Sequence, residues 1–173
     1  MEMTAAVLTI SDKGSQGLRE DRSGPAVASM LQEAGWRVVH RAILPDEYEE
    51  IRRELLDCCG QRLCLVVTTG GTGFSKRDVT PEATLAVVER LTPGIPEAMR
   101  AESIRITPHG MLSREAAGIR EDTLIINLPG SVKAATECLG AVLPALRHGV
   151  EILRGQAGEC GGHDHGEGGG HHG

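Results

Sequence analysis

Hydrophobic positions along the chain come in short unbroken runs separated by longer stretches of helical periodicity. Ala5–Ile10 and Leu63–Thr69 are apolar runs rich in β-branched residues, the pattern of strands covered on both faces. Trp36–Leu44 alternates apolar and polar side chains and predicts a further strand. Ser23-Gly24-Pro25 opens a helix that runs to about Ala34 and is stopped by Gly35. Pro45-Asp46-Glu47 starts another that reaches Cys59, and helices are expected over Pro81–Leu91 and near Pro96–Arg105. Ala116–Arg120 and Thr123–Leu128 read as two short strands with a turn at Glu121-Asp122. A last helix covers Val132–Leu153, with Pro144 a candidate kink. Strands alternating with helices imply right-handed crossovers. The predicted fold class is therefore α/β, a single three-layer domain with a mostly parallel sheet flanked by helices.

The pattern ends at residue 154. From Gly155 the composition changes, and Gly161–Gly173 is glycine, histidine and acid with no aliphatic residue to build a core, so residues 1–154 are expected to form the domain and 155–173 a disordered tail. With 173 residues and 40% hydrophobic content, one core is expected. One Phe, one Tyr and one Trp mean that this core must be built from Val, Ile, Leu and Ala. A net charge of −6 argues against nucleic-acid binding through bulk attraction, which needs clustered Lys and Arg. No run reaches the roughly 20 apolar residues of a membrane span. The five cysteines are odd in number and irregularly spaced, which fits reduced thiols and a cytoplasmic protein.

The chemistry concentrates at Thr68–Glu82, reading TTGGTGFSKRDVTPE, where a buried strand, a glycine loop and a helix entry adjoin. Gly70, Gly71 and Gly73 permit positive φ and close approach of oxygen atoms. Thr80-Pro81 reads as N-cap and first helical residue, so a positive helix end stands beside the loop. The loop lacks both the P-loop and the dinucleotide-binding spacings. It is either a phosphate cradle or a tight turn. In open α/β sheets ligands gather beyond the carboxyl ends of strands. Ser11–Gly17, Pro45-Asp46, Gly70–Arg77 and Pro129-Gly130-Ser131 all leave strands in that direction. They carry amides, hydroxyls, the acids Asp12, Asp46 and Asp78, and the cations Lys13, Lys76, Arg77 and Lys133. Carboxylates at neighbouring strand ends suit Mg²⁺ when substrate phosphates complete its shell. Each has a plainer reading as well. Asp46 with Glu49 matches a helix capping box, Asp78 a turn carboxylate, Arg77 a solvated charge, and Ser131 the cap of the last helix.

These blocks resemble the molybdopterin adenylyltransferase family, which includes the G domain of gephyrin. The likeness runs from about Ala5 to Leu153. It rests on Ser11-Asp12 with Glu20-Asp21-Arg22-Ser23-Gly24, Pro45-Asp46-Glu47, Thr68–Thr84, Met111-Leu112-Ser113-Arg114 and Ile125-Ile126-Asn127-Leu128-Pro129-Gly130-Ser131. The resemblance implies transfer of AMP from Mg-ATP to the terminal phosphate of molybdopterin, with release of pyrophosphate, by a homotrimer. It implies Asp46 and Asp78 as the catalytic acids that hold Mg²⁺. Ser11, Asp12, Thr69, Gly70, Gly71, Thr72, Gly73, Arg77, Pro129, Gly130 and Ser131 become the substrate-binding residues. Two alternatives stand beside it: a molybdopterin-binding or scaffold module without transfer activity, and a metal-delivery protein acting through its tail. There Cys160, His163, His165, His171 and His172 offer thiolate and imidazole suited to Zn²⁺ or Ni²⁺. A neutral tail is the plain reading of the same residues.

Overall fold

Four parallel strands form the centre of the computed structural model, which describes residues 1–156. In chain order the elements are β1 (Thr4–Ile10), α1 (Asp12–Ser15), α2 (Ser23–Glu33), β2 (Arg37–Leu44), α3 (Tyr48–Gly60), β3 (Leu65–Thr69), α4 (Thr80–Val87), β4 (Arg90–Leu91), α5 (Gly94–Ile106), a 3₁₀ turn (Pro108–Leu112), β5 (Ala117–Arg120), β6 (Thr123–Leu128) and α6 (Val132–Leu153). The six-stranded sheet has the order β2-β1-β3-β6-β5-β4, with β5 antiparallel to β6 and β4 antiparallel to β5. The expected α/β fold with a mostly parallel sheet is what the chain adopts.

Strand alternation divides the core into two halves. Ala5, Val7, Leu65, Val67, Leu124 and Ile126 face α2, α5 and α6, where Leu31, Met99, Leu139 and Val150 meet them. Ala6, Leu8, Ile10, Val66 and Ile125 face α3 and α4, against Ile51, Leu55, Ala83 and Val87. Each fully buried Val, Leu, Ile or Met among them contributes about 1.5–3 kcal/mol. The core is aliphatic as the composition requires: Trp36 is buried, whereas Tyr48 and Phe74 are exposed. The central strands β1, β3 and β6 are buried along nearly their whole length; β2, at the edge, alternates exposed and half-buried residues. Cys58, Cys59, Cys64 and Cys138 are buried free thiols. Among the described residues no helix is long and apolar enough to cross a membrane.

Several local expectations are corrected. The Ser11–Gly17 loop contains a short helix, with Ser11 Oγ accepting from Gly14 N at 3.0 Å. The helix expected over Pro81–Leu91 stops at Val87 and gives way to β4, because Glu89 N and Thr92 N pair with Ile119 O and Ala117 O across the sheet edge. Thr80 is the first residue of α4, not its cap, which is Val79. Asp46 forms no capping box, since α3 is capped by Glu47 without a side-chain bond. Gly70 and Gly71 take positive φ, +97° and +69°, but Gly73 does not. Ser131 does cap α6, accepting from Ala134 N at 3.1 Å. Cys160, His163, His165, His171 and His172 lie outside the described residues.

One buried acid stands apart from the cavity described below. Glu115 is 2% exposed, and neither carboxylate oxygen has a hydrogen-bond partner among the described residues. Burial pushes its carboxyl up to about 7, against the pull of the Arg100 guanidinium. Its folded pKa thus stands above the ordinary 4.5. The associated stability is fully present at acid pH, below the unfolded value, and is lost as pH rises through the folded one. The free energy of urea unfolding should therefore fall by about 2–3 kcal/mol between about pH 5 and about pH 8 on account of this group. Glu115→Gln, which cannot ionise, should remove that part of the slope; an unchanged slope would assign it to other groups.

Candidate active site

The strand order reverses between β1 and β3: β2 lies on one side of β1, and β3 and β6 follow on the other. Loops leaving two such strands diverge to opposite faces and open a crevice at their carboxyl ends. Register places Ile10 beside Leu44, Thr9 beside Thr69, and Thr69 beside Leu128, so four strand ends finish level. The crevice is a cavity of about 660 Å³ whose lining includes Ser11, Asp21, Asp46, Thr69, Gly70, Gly71, Asp78, Gly130 and Ser131.

Two reciprocal bonds build its acidic wall. Asp12 N donates to Asp46 Oδ2 at 3.0 Å, and Asp46 N donates to Asp12 Oδ1 at 2.9 Å, which clamps the end of β1 to the end of β2. Asp12 is then claimed from outside by Arg77, whose Nε and Nη2 donate to its two carboxylate oxygens at 3.0 and 2.9 Å while Nη2 also reaches Glu47 at 2.9 Å. The Arg77 hydrogen bond holds the Asp12 carboxyl below its usual range. Asp46 moves the other way, raised first by burial, with the charges of Asp12 and Asp78 adding to the effect. The wall therefore holds negative charge that the protein itself leaves poorly compensated.

The glycine loop lies across the cavity floor. A Cβ on Gly71 would stand 2.2 Å from Thr80 Oγ1 and 3.1 Å from Asp46 Oδ1, so these oxygens flank a space only hydrogen can fill. Thr80 Oγ1 is buried without a partner among the described residues. Asp78 is held by Ser75 N, which donates to Oδ2 at 3.0 Å. Arg114 secures the loop from behind: its amide donates to Thr72 O, Nε to Gly73 O, and Nη2 to Asp78 O, each at 2.8 Å, and Nη1 pairs with Glu82 at 2.7 Å. With these carbonyls engaged by Arg114, which does not line the cavity, the loop presents less negative dipole to an anion. Arg114→Lys keeps the charge but loses the planar fork. It should cost about 2 kcal/mol in urea unfolding and speed amide exchange over residues 73–79 about tenfold or more. Unaltered exchange would remove Arg114 as the loop's anchor.

The N-termini of two longer helices open on the same space. Ser131 and Val132 begin α6, and Arg22 and Ser23 begin α2; all four line the cavity. Helix N-termini carry partial positive charge suited to anions; at α2 the Gly24 amide is already taken by Asp21 and Pro25 has none, so α6 is the freer of the two. Arg19 and Arg22 are the basic side chains of the lining.

The expected site residues divide accordingly. Asp46, Asp78, Ser11, Thr69, Gly70, Gly71, Gly130 and Ser131 line one cavity. Asp12, Thr72, Gly73, Arg77 and Pro129 do not. Asp12 and Arg77 act behind the wall, and Thr72 and Gly73 are turned toward Arg114. Lys13, Lys76 and Lys133, expected as nearby cations, are also absent from the lining. Sequence reasoning gave no site role to Arg19, Asp21 or Ser23, although Ser23 opens the predicted helix α2. Asp21 accepts from Thr9 Oγ1 at 2.8 Å and Gly24 N at 2.9 Å, and Ser23 Oγ meets Thr69 Oγ1 at 2.8 Å. Asp21 and Ser23 fall in the Glu20–Gly24 block and Arg19 just before it, a stretch with no periodicity to set its side chains apart from a polar loop.

Comparison with known proteins is consistent along the chain. The gephyrin of Dictyostelium discoideum is 44% identical over 162 residues, which cover 88% of this chain but only 23% of that protein. A protein named molybdopterin adenylyltransferase from Helicobacter pylori strain J99 is 45% identical over 152 residues, covering 86% of each. The crystal structure of the molybdopterin biosynthesis enzyme MoaB from Thermus thermophilus superposes with a TM-score of 0.84 at 43% identity, over 88% of this chain and 97% of that one. Residues 6–148 match the family described as "Probable molybdopterin binding domain". With a cavity at the switch point of its sheet lined by acids, hydroxyls and glycine backbone, and relatives of this identity along nearly its whole length, the chain belongs to the molybdopterin-binding domain family of molybdenum cofactor biosynthesis.

Proposed function

We propose that this protein is a molybdopterin adenylyltransferase, which transfers AMP from Mg-ATP to the terminal phosphate of molybdopterin and releases pyrophosphate. The observation that carries this reading is the convergence of Asp46 and Asp78 on one cavity with the Gly70-Gly71 loop and the N-terminus of α6. The Helicobacter relative, matched over 86% of both chains, bears the name of that activity.

A phosphate monoester loses its second proton near pH ~6, so the attacking phosphate is largely ionised without a protein base. The difficulty is electrostatic: two anionic substrates must meet in a cavity whose lining carries Glu20, Asp21, Asp46 and Asp78 against Arg19 and Arg22. The residues fit Mg²⁺. Asp46 and Asp78 are hard oxygen donors; burial first, and then the charges of Asp12 and Asp78, raise the Asp46 pKa, and the Thr80 hydroxyl, unpartnered among the described residues, and the Gly71 cradle stand beside Asp46. Mg²⁺, when bound by Asp46 and Asp78, neutralises phosphate charge and polarises the phosphoryl group under attack. The chain does the rest. The amides of Gly71, Gly130 and Ser131 donate to phosphate oxygens, while the Gly70 amide is held by Leu128 O; Arg19 and Arg22 draw anions into the cavity, and Asp12, tied to Arg77, holds Asp46 in position.

The reaction is assigned to the cytoplasm, in keeping with the buried free thiols, and the active form to a homotrimer by family resemblance. Residues 1–154 are assigned to the catalytic domain and 155–173 to a tail not needed for transfer. Sedimentation equilibrium tests the trimer. Incubation of the chain with ATP, Mg²⁺ and molybdopterin, followed by a pyrophosphate assay, tests the activity. Molybdopterin binding without pyrophosphate release would leave a binding module instead.

A further inference from the structure

Away from the cavity, on the face of the sheet covered by α3, three potential metal ligands meet. Among the described residues His40, Glu54 and Cys58 form the one such group. His40 lies on β2, the edge strand, and Glu54 and Cys58 lie one helical turn apart on α3, so both project toward the same side. His40 Nε2 is 2.5 Å from Glu54 Oε1, and a ligand atom from each of the three residues lies within 4.8 Å of the other two. Zn²⁺ bonds to nitrogen, oxygen and sulfur of about 2.0–2.3 Å place tetrahedral ligands about 3.3–3.8 Å apart. His40 and Glu54 stand closer than that, so an ion entering between them would part this pair by side-chain rotation.

We propose that His40, Glu54 and Cys58 form a binding site for a divalent transition-metal ion of the Zn²⁺ class, held by imidazole, carboxylate and thiolate with a further position open to solvent. The donor set decides the class of ion: imidazole with thiolate selects Zn²⁺, Co²⁺ or Ni²⁺ and disfavours Mg²⁺, which prefers an all-oxygen shell. The site is thus chemically separate from the one assigned to Asp46 and Asp78. Cys58 is 1% exposed, while the His40 and Glu54 side chains are 37% and 24% exposed, so the ion enters from the edge of the sheet and meets the thiol at the bottom. Burial, and then the Glu54 charge, push the unliganded thiol up to about 12. Binding must displace that proton, which a soft, strongly bound cation does and Mg²⁺ does not. The ion would staple β2, which pairs on one side only, to α3, and these two elements flank Pro45-Asp46.

The test uses the full chain carrying Cys160→Ser, so that the remaining tail ligands are the same in every sample and add no thiolate. Addition of Co²⁺ should produce a thiolate-to-cobalt charge-transfer band in the near ultraviolet, which persists in excess Mg²⁺ and disappears with Cys58→Ala. His40→Gln, at a half-exposed position, should keep the parent circular dichroism and weaken Co²⁺ binding by more than about tenfold, since losing a direct ligand costs at least as much as losing an outer-shell partner. Absence of the band in the parent, its survival in Cys58→Ala, or undiminished affinity in His40→Gln would overturn the proposal and leave His40 and Glu54 as an ion pair over a buried thiol.

Discussion

Asp78→Asn should lower the turnover of AMP transfer by about 10²-fold or more while leaving molybdopterin binding in place. The substitution is nearly isosteric, and the oxygen that accepts from Ser75 N can be kept by the amide, so the loop should hold its shape. Arg114 bonds the backbone carbonyl of Asp78, not its carboxylate, and that anchor is untouched. What disappears is one negative charge at the cavity, next to an Asp46 already raised by burial and by its neighbours. A single remaining carboxylate holds Mg²⁺ poorly, and the repulsion between two anionic substrates goes unrelieved. Pyrophosphate release measured against molybdopterin titration separates the two effects. Turnover equal to the parent would remove Asp78 from the mechanism, and loss of pterin binding would move it from metal support to the pterin subsite.

Gly70→Ala should be the most damaging single substitution for stability among the cavity residues. Gly70 has φ +97°, and a Cβ there would lie 2.3 Å from the backbone oxygen of Ile10. Its amide donates to Leu128 O at 3.0 Å, so the residue is fixed between the ends of β1 and β6 and cannot retreat. Backbone strain and displacement of β1 together should cost about 3 kcal/mol or more, lowering Tm by about 6–12 °C. Gly17 is the control: its φ is +72°, but nothing stands within 4 Å of a Cβ, so Gly17→Ala should cost only the about 1–2 kcal/mol of a left-handed alanine. Equal losses from both substitutions, read by thermal unfolding, would show that conformation alone, and not the contact with Ile10, demands glycine at position 70.

Those two glycines look alike in the sequence, and the difference between them marks the boundary of what could be read there. The central elements were legible because their signals are local. The apolar runs at Ala5–Ile10 and Leu63–Thr69 and the helical spans ending at Gly35 and beginning at Ser131 appear within a residue or two of their expected bounds. Elements at the margin were not. Arg90–Leu91 has too few residues to show a period, and it exists because β5 offers it a free edge. Glu115 appears as an ordinary acid until the fold closes over it.

The candidate site follows the same rule. That Asp46 and Asp78 would meet beyond strand ends was a matter of order along the chain, and family resemblance added their catalytic role. Arg77 had the charge to bind an anion, but the fold gives its guanidinium to Asp12 and Glu47. Arg19 and Arg22, in a loop with no pattern, reach the cavity instead. The layered α/β plan, the aliphatic core and the cluster of loops at one rim were legible in the residues alone, because periodicity, β-branching and glycine placement act over a few neighbouring residues. Which charges meet which, the reciprocal clamp of Asp12 and Asp46, the burial of Glu115 and the meeting of His40 with Cys58 came from the folded chain. Hydrogen bonding and desolvation depend on distances between residues far apart in the chain, and those distances exist only once the sheet has closed its register.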